Sequence, residues 1–559
     1  MALLTDTFQK ALALHRSGQP EAAQALYRRV LEQEPRHFDS LHLLGLATIE
    51  RGDTEAGAAL IRQALQVKPD SAAAHYNLGH ALLTLGQREA ALASFDCALA
   101  LNPFDAQSHF EAANALKDLG CGEEAITRYG KAISLDPGAA EMHNNLGVAL
   151  KDAGRLDEAV ASYDRAIALK PRYAEAHSNR GNALREVGRL AEALACHDTA
   201  IGLRPGYAEA HYNRGNLLVD LKRYDEALAS FDAALALRPD YAEARHNKAQ
   251  LLLGRGRFRE GFALYGARWQ TASFGSQPLS GGVPRWDGRA GAGNVLVWPE
   301  QGIGDEIFHA SLLPLAPRQD VHITLAADPR LHAIYRRSFA DITVIGSEVL
   351  KAQVGGHDAQ VPVGDLGDVL AVDAERLAAR APSFLLADMG RSAVLRASPS
   401  FPKAGPVVGL SWKSSNRKFG AEKSLRLADL APVLTLPGLS FVKLQYGDVA
   451  GDIAEARARL GVNVHEIDGL DVFNDIDGLM ALIAACDLVV TTSNITAHLA
   501  GAIGKKGVVM VPAGKGCLWY WQGGINDLWY PSLTRAAQPR IGDWQPAIAA
   551  AAAWVRDNT

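Results

Sequence analysis

Asp305 is the residue of this chain best placed to move a proton. It follows the β-rich run NVLVWPE (294–300), inside Glu300-Gln301-Gly302-Ile303-Gly304-Asp305-Glu306. Gly302 and Gly304 suit a tight strand-to-helix turn that puts Asp305 at a helix N-terminus. A carboxylate there is favoured by the helix dipole and is free to take a proton; Asp is also an ordinary cap at that position. A second strand-to-helix junction is Thr491-Thr492-Ser493-Asn494-Ile495-Thr496-Ala497-His498. Its hydroxyls and helix N–H groups have the makings of an anion site, with His498 one turn in as a further donor. A capped helix with a packed His is the alternative. Lys413, Arg417, Lys418 and Lys423 surround a loop able to neutralise a leaving phosphate, or one that is merely solvated. The glycines do not spell GxGxxG, which argues against a dinucleotide. The five cysteines are scattered without a CxxC pair, so neither a metal site nor a disulfide framework is expected.

A different chemistry repeats in the first half. Asn77, Asn145, Asn179, Asn213 and Asn247 recur in one register, with Glu111 in the slot between the first two. One carboxamide per repeat on the same helix lines a face and can pair with the backbone of any extended peptide. The same row equally suits hydrogen bonds from helix to helix.

These residues need elements to hold them. Pro35, Pro69, Pro103, Pro137, Pro171, Pro205 and Pro239 recur at a constant step of thirty-four. Gly18, Gly52, Gly86, Gly120, Gly154, Gly188 and Gly256 keep the same step, with Lys222 in the vacant slot. Small residues (Ala23 through Gly261) and aromatics (Tyr27, Phe95, Tyr129, Tyr163, Phe231, Tyr265) follow suit, His197 and Ile61 being the aromatic exceptions. A two-helix unit fits: Gly closes the first helix, the small residue lets the helices approach, the aromatic packs into the neighbouring repeat and Pro ends the second helix. The pattern resembles the tetratricopeptide repeat over residues 1–270, about eight units, which implies a superhelical α-solenoid with a concave groove.

Residues 271–290, rich in Gly, Ser and Pro, read as a linker that Trp286 anchors to a neighbour. Beyond it, β-rich runs at 294–300, 321–328, 341–346, 406–413, 439–447, 462–467, 488–494 and 507–512 alternate with helical patterns, the signature of parallel βα units. A break near 390–405 divides them into lobes 291–395 and 396–559. Ligands of such sheets bind beyond the carboxyl ends of the strands.

Composition sets the outer bounds. The 559 residues suggest three to four domains, and 48% hydrophobic with 21% charged residues is globular. A net charge of −5 argues against nucleic-acid binding as the main task. No run reaches about 18 apolar residues and the N-terminus lacks a leader pattern, so a cytoplasmic protein without a membrane span is expected.

EQGIGDEIFHASLLP, GLSWKSSNRKFGAEKSL, FVKLQYG and SNITAHLAGAIGKKGVVMVP occur in that order. Together they resemble the heptosyltransferase-like glycosyltransferase domain that bacteria fuse to tetratricopeptide repeats, over about residues 290–545. The resemblance implies the α/β GT-B fold, two Rossmann-like domains facing a cleft, and metal-independent sugar transfer with no cofactor beyond the nucleotide-sugar co-substrate. It implies Asp305 as general base. It places Gly302, Gly304, Lys413, Lys418, Lys423, Gln445, Ser493, Asn494 and His498 about the donor. The family usually carries Asp-Thr where this chain has Ser493-Asn494. The asparagine row resembles the ladder of protein O-GlcNAc transferases, implying that Asn77, Asn145, Asn179, Asn213 and Asn247 hold an acceptor polypeptide. The expectation is a soluble inverting protein glycosyltransferase acting on Ser or Thr, with flagellin as acceptor and a CMP-nonulosonic acid as donor. The alternatives are a repeat scaffold with an inactive, ligand-binding transferase domain, and a transferase for a glycan or lipid acceptor. Trp519, Trp521, Trp529 and Tyr530 read as packing for the C-terminal crossover or as walls for a sugar or base.

Overall fold

The computed structural model describes residues 2–280, 282–416 and 419–559. The chain forms two compact units, Met1–Leu237 and Arg238–Thr559.

The first unit is an array of antiparallel helix pairs, from Ala2–Arg16 with Pro20–Gln33 to Ala208–Asp220 with Tyr224–Leu237. The glycine slots all adopt positive φ, the left-handed conformation that ends a helix without penalty only for glycine. Lys222 fills its slot at φ 60° and bears the strain the other repeats avoid. The aromatic slot packs toward the next repeat, as expected, and does one thing more. It shares a core with the following repeat, Phe95 with Ala112, Tyr129 with Ala149 and Tyr163 with Leu184, and it also presses on the small residue of its own first helix. A Cβ on Gly79, Gly147 or Gly215 would stand 2.6 Å from the ring of Phe95, Tyr163 or Phe231. His197 occupies the same site against Gly181. Glycine is needed there for close approach rather than for backbone freedom.

The second unit opens with one more helix pair, Ala242–Gly254 and Phe258–Tyr265, followed by a short turn of helix at Gly266–Gln270. The compact boundary therefore falls one repeat ahead of residue 270. Residues 271–290 are also less free than a linker: Pro284 and Trp286 bond to both sides of Gln360, and Trp286 is buried.

Among the described residues ten strands follow: β1 (Gly293–Trp298), β2 (Val321–Ala327), β3 (Thr343–Gly346), β4 (Ala359–Pro362), β5 (Val407–Ser411), β6 (Ser440–Lys443), β7 (Val464–His465), β8 (Leu488–Thr492), β9 (Gly507–Val511) and β10 (Leu533–Ala537). They form two wholly parallel sheets, ordered β3-β2-β1-β4 and β10-β9-β8-β5-β6-β7. Each of the eight β-rich runs contains a strand; β4 and β10, at sheet edges, carry no such run. β5, β8 and β9 are buried along their whole length, which suits their Val-rich sequences, with only Ser411, Thr491 and Thr492 polar at the strand ends.

Chain order reverses direction between β1 and β4 in the first sheet and between β5 and β8 in the second. At such switch points the connecting helices leave to opposite faces and open a crevice at the strand ends. One apolar core runs from Phe258 and Phe262 of the last helix pair through Val295 and Phe308 to Val489, Trp519, Trp521 and Trp529. A second core joins the far face of the larger sheet to the C-terminal helix Gln545–Asn558 through Trp412, Val490, Ile548 and Val555.

Candidate functional site

Both strand-to-helix junctions lie at switch points of the second unit. β1 ends at Trp298, and the helix Ile303–Ala310 starts after Gly302, with Asp305 in its first turn. β8 ends at Thr492 and the helix Ile495–Ala502 starts after Asn494. The two junctions meet. Gly304 lies against the imidazole of His498, and a Cβ on it would sit 3.1 Å from His498 Cδ2. Gly302 has an ordinary φ of −71°. So Gly304 serves a close approach, and neither glycine serves a strained turn.

Asp305 is half-buried. Tyr520 donates its hydroxyl hydrogen to Asp305 Oδ1 at 2.9 Å. Desolvation raises the carboxyl above the usual Asp range, while the Tyr520 hydrogen bond and the positive charge of Lys423 hold it down. Lys423 is 4% exposed, and its burial lowers the ammonium, opposed by Asp305. A carboxylate and a phenol thus meet in a partly desolvated place after β1, within the field of a buried amine.

His498 is buried, and its Nδ1 lies 2.9 Å from the Tyr530 hydroxyl. Burial pushes its pKa down to about 3, with Lys423 adding repulsion, so the ring is neutral at physiological pH. It can offer a neutral N–H, not a cation. Ser493 Oγ and Thr496 Oγ1 are buried at the same helix start and have no hydrogen-bond partner among the described residues.

Three expected donor contacts are otherwise occupied. Gln445 Oε1 accepts from Ser411 Oγ (3.1 Å), Trp412 N (2.8 Å) and Lys413 N (2.7 Å), and its Nε2 donates to Tyr446 O (3.0 Å). Asn494 Oδ1 accepts from Thr496 N (2.9 Å) and Thr491 Oγ1 (3.1 Å), and its Nδ2 donates to Ser411 Oγ (2.8 Å) and Lys413 O (3.0 Å). These carboxamides pin the ends of β5, β6 and β8 to each other. An Asp at 494 could not make the two donations. Lys413 Nζ pairs with Asp452 at 2.6 Å, so its charge is neutralised locally. Arg417 and Lys418 lie outside the described residues. The helix N–H groups are also less open than expected, because Asn494 caps Thr496 N.

The asparagine row makes interhelical bonds. Asn77 Nδ2 meets His42 Nε2 at 2.9 Å, Asn145 Nδ2 donates to Asn114 Oδ1 at 3.1 Å and Asn179 Nδ2 to Asn144 Oδ1 at 3.1 Å. Asn213 Nδ2 donates to Ser178 Oγ at 3.5 Å, and Asn247 sits half-buried on the last helix pair. Each of these four bonds reaches back to the preceding repeat. All five residues keep part of their surface open.

Two features escaped the sequence. Tyr520 stands between two tryptophans that mask it, and its partner is 215 residues away. His75, His109, His143, His177 and His211, spaced by the repeat step, each place Nε2 3.0–3.3 Å from the carbonyl of the proline six residues earlier. That row was visible as spacing; its partner was not. Trp519, Tyr520, Trp521, Trp529 and Tyr530 are all buried, so the aromatic segment is core. Among the described residues no group of His, Cys, Asp or Glu could hold a metal ion, and no helix is long and apolar enough to cross a membrane.

The N-terminal helix pairs are tetratricopeptide repeats. Residues 8–72, 178–242 and 212–274 match one family described as tetratricopeptide repeat, residues 72–105 match another, and residues 113–154 and 149–188 match a family described as TPR repeat. Protein FlbA of Caulobacter vibrioides is 33% identical over 294 residues, 49% of this chain. The match spans about half the length of that relative, 48%. Among solved structures, a thermophilic tetratricopeptide-repeat protein of Thermus thermophilus is 28% identical, covering 33% of this chain and all of the other, with a TM-score of 0.29. A tetratricopeptide repeat protein of Parabacteroides merdae is 16% identical, covering 44% and 98%, with a TM-score of 0.37. What these comparisons and the sheets describe is a repeat array followed by a separate α/β region of parallel strands.

Proposed function

We propose that the second unit is a metal-independent glycosyltransferase of the GT-B type, and that the repeats present a polypeptide acceptor to it. The observation that carries this reading is the meeting of the two junctions: Gly304 of the Asp305 turn lies against His498 at the helix start that offers two hydroxyls unpartnered among the described residues, and Asp305 feels the charge of buried Lys423. One end of that space takes a proton and the other holds an anion, which is what inverting transfer from a nucleotide sugar requires.

The proposed step is a single displacement. A Ser or Thr hydroxyl oxygen attacks the anomeric carbon, and its proton passes to Asp305. The bond from that carbon to the phosphate oxygen breaks, and the electron pair leaves with the nucleotide. Lys423, the Ser493 and Thr496 hydroxyls and the neutral His498 N–H would meet the negative charge. Lys413, Gln445 and Asn494 would act by fixing the loop, since their own side chains are engaged. Four of the row asparagines use an amide nitrogen between repeats; the carboxamide surface left open along the row is what an acceptor backbone would use. Flagellin is the first acceptor to test and CMP-nonulosonic acid the first donor.

The test is incubation of the chain with flagellin and a panel of nucleotide sugars, read by intact mass. Added sugar mass with the wild-type chain and none with Asp305→Asn is the expected result. Equal modification by both would remove Asp305 from the role of base. No modification with any donor, together with nucleotide binding, would favour the inactive ligand-binding scaffold.

A further inference from the structure

The segment that supplies Tyr520 is held in a way that singles out one atom. Its ring stacks on Phe308 of the Asp305 helix, with centroids 4.0 Å apart and planes 23° apart. Its neighbours fix it from behind. Trp519 meets Phe262 of the last repeat helix edge to face at 5.9 Å, and the carboxamide of Gln522 fills the space a side chain on Gly254 would need. The side chain of Ile525 rests 3.5 Å from where a Cβ on Gly256 would stand. A buried phenol stacked on Phe308, in a segment that the last helix pair holds through Trp519 and Gln522, loses little entropy on donating to Asp305.

We propose that Tyr520 is the positioning residue of the Asp305 carboxylate: it binds Oδ1, fixes the rotamer and leaves Oδ2 for the incoming hydroxyl. This rests on the reading of Asp305 as base. It also makes the last helix pair of the repeat array part of the catalytic unit, because that pair holds the segment carrying the phenol. The other titratable groups whose charges couple to Asp305 are Lys423, Glu300, Tyr265 and Tyr530, and His498 lies against Gly304 beside it. Their influence is exerted through space, whereas Tyr520 acts through a hydrogen bond whose loss is specific.

The sign follows from the hydrogen bond. Donation to the ionised form favours that form, and removing it raises the carboxyl further. Tyr520→Phe in the full chain keeps the ring and its stack on Phe308 and deletes the hydroxyl. An infrared difference titration, wild type minus Asp305→Asn, reads the carboxyl directly. The midpoint in the Tyr520→Phe background is expected about one pH unit higher. The acidic limb of the transfer rate should move by the same amount, with KM for the nucleotide sugar unchanged. Phe308→Leu, which removes the stacked ring but not the hydroxyl, should move both in the same direction by less. An unmoved infrared midpoint in Tyr520→Phe would overturn the proposal, whether or not the wild type transfers sugar. A shifted midpoint in a chain that transfers nothing would keep Tyr520 and sink the transferase reading. A rate loss equal at every pH, with the midpoint unmoved, would reduce Tyr520 to packing.

Discussion

The two units of this chain solve the placement of polar groups in opposite ways. In the repeats, contacts reach back by one structural step: Arg180 to Asp164 and Arg214 to Asp198 across 16 residues, Asn179 to Asn144 across 35. In the α/β unit they cross the chain: Asp305 to Tyr520 across 215 residues, Arg337 to Asp477 across 140, Ser411 to Asn494 across 83. The first arrangement is a sum of near-identical neighbours, whose defects stay local. The second is a set of unique meetings in which one loss disturbs several loops.

The contrast can be broken by mutation. The largest effect is expected at Asp305. Asn there should lower transfer at least about a hundred-fold, by mass-resolved kinetics, while the unfolding midpoint stays put. Next is Arg268, which is fully buried, donates to Glu300 at 3.1 and 2.6 Å, and pairs with Asp365 at 2.6 Å. Arg268→Met strands Glu300 and leaves Asp365 to Arg285 alone, and should cost about 3–5 kcal/mol in urea unfolding of the second unit, with hydrogen exchange rising at both the 300–306 and 362–368 segments. If exchange rises in only one of them, the α/β unit is less coupled than these bonds imply.

The pH responses should also diverge. His197, buried in the repeats without partners, is pushed from 6.5 down to about 4. The unfolded chain then binds a proton that the folded one refuses, so this contribution is lost as pH falls from about 6.5 toward 4. His197→Phe, copying Phe95 and Phe231, should remove that sensitivity. Glu306, buried with Oε1 unpartnered, is pushed up from 4.5 to about 8. Here the fold holds the extra proton, so stability is full below about 4.5 and declines as pH rises to about 8. Glu306→Gln should flatten that decline. Denaturant midpoints measured across the pH range with a probe in each unit would show whether the two responses separate.

Smaller effects belong to the repeats. Gly147→Ala drives a methyl into the Tyr163 ring and should cost about 1–3 kcal/mol, reduced by alanine's better helix propensity, with exchange changing only in the adjoining helix pairs. Asn145→Ala should cost about 0.5–1.5 kcal/mol. If it also weakens flagellin binding while Asn114→Ala, which breaks the same bond, does not, the row faces the acceptor as well as its neighbours.

This division explains what the sequence disclosed. A fixed repeat period states the helices, the left-handed turns and even the exception at Lys222, because each position answers to a local rule repeated many times. The eight β-rich runs were legible from short β-branched and apolar stretches bounded by turn residues, most plainly where β5, β8 and β9 are buried on both faces. β4 is four residues ending in Pro, and β10 exposes part of one face, so neither carries that signal. Asp305 and His498 could be picked from strand-to-helix junctions. Tyr520 could not, since nothing local separates it from Trp519 and Trp521. The roles of Gln445 and Asn494 were open for a related reason: a carboxamide looks the same whether it faces a ligand or ties three strand ends together.

The placement of the last helix pair has a practical edge for protein engineering. Anyone transplanting a different repeat array onto this α/β region would choose residue 270, where the repeat pattern stops. That cut would discard Phe262, the ring against Trp519, and Arg268, the counter-charge of Glu300. A seam between Leu237 and Arg238 keeps both. The recipient then inherits the donor's final repeat whatever array is attached.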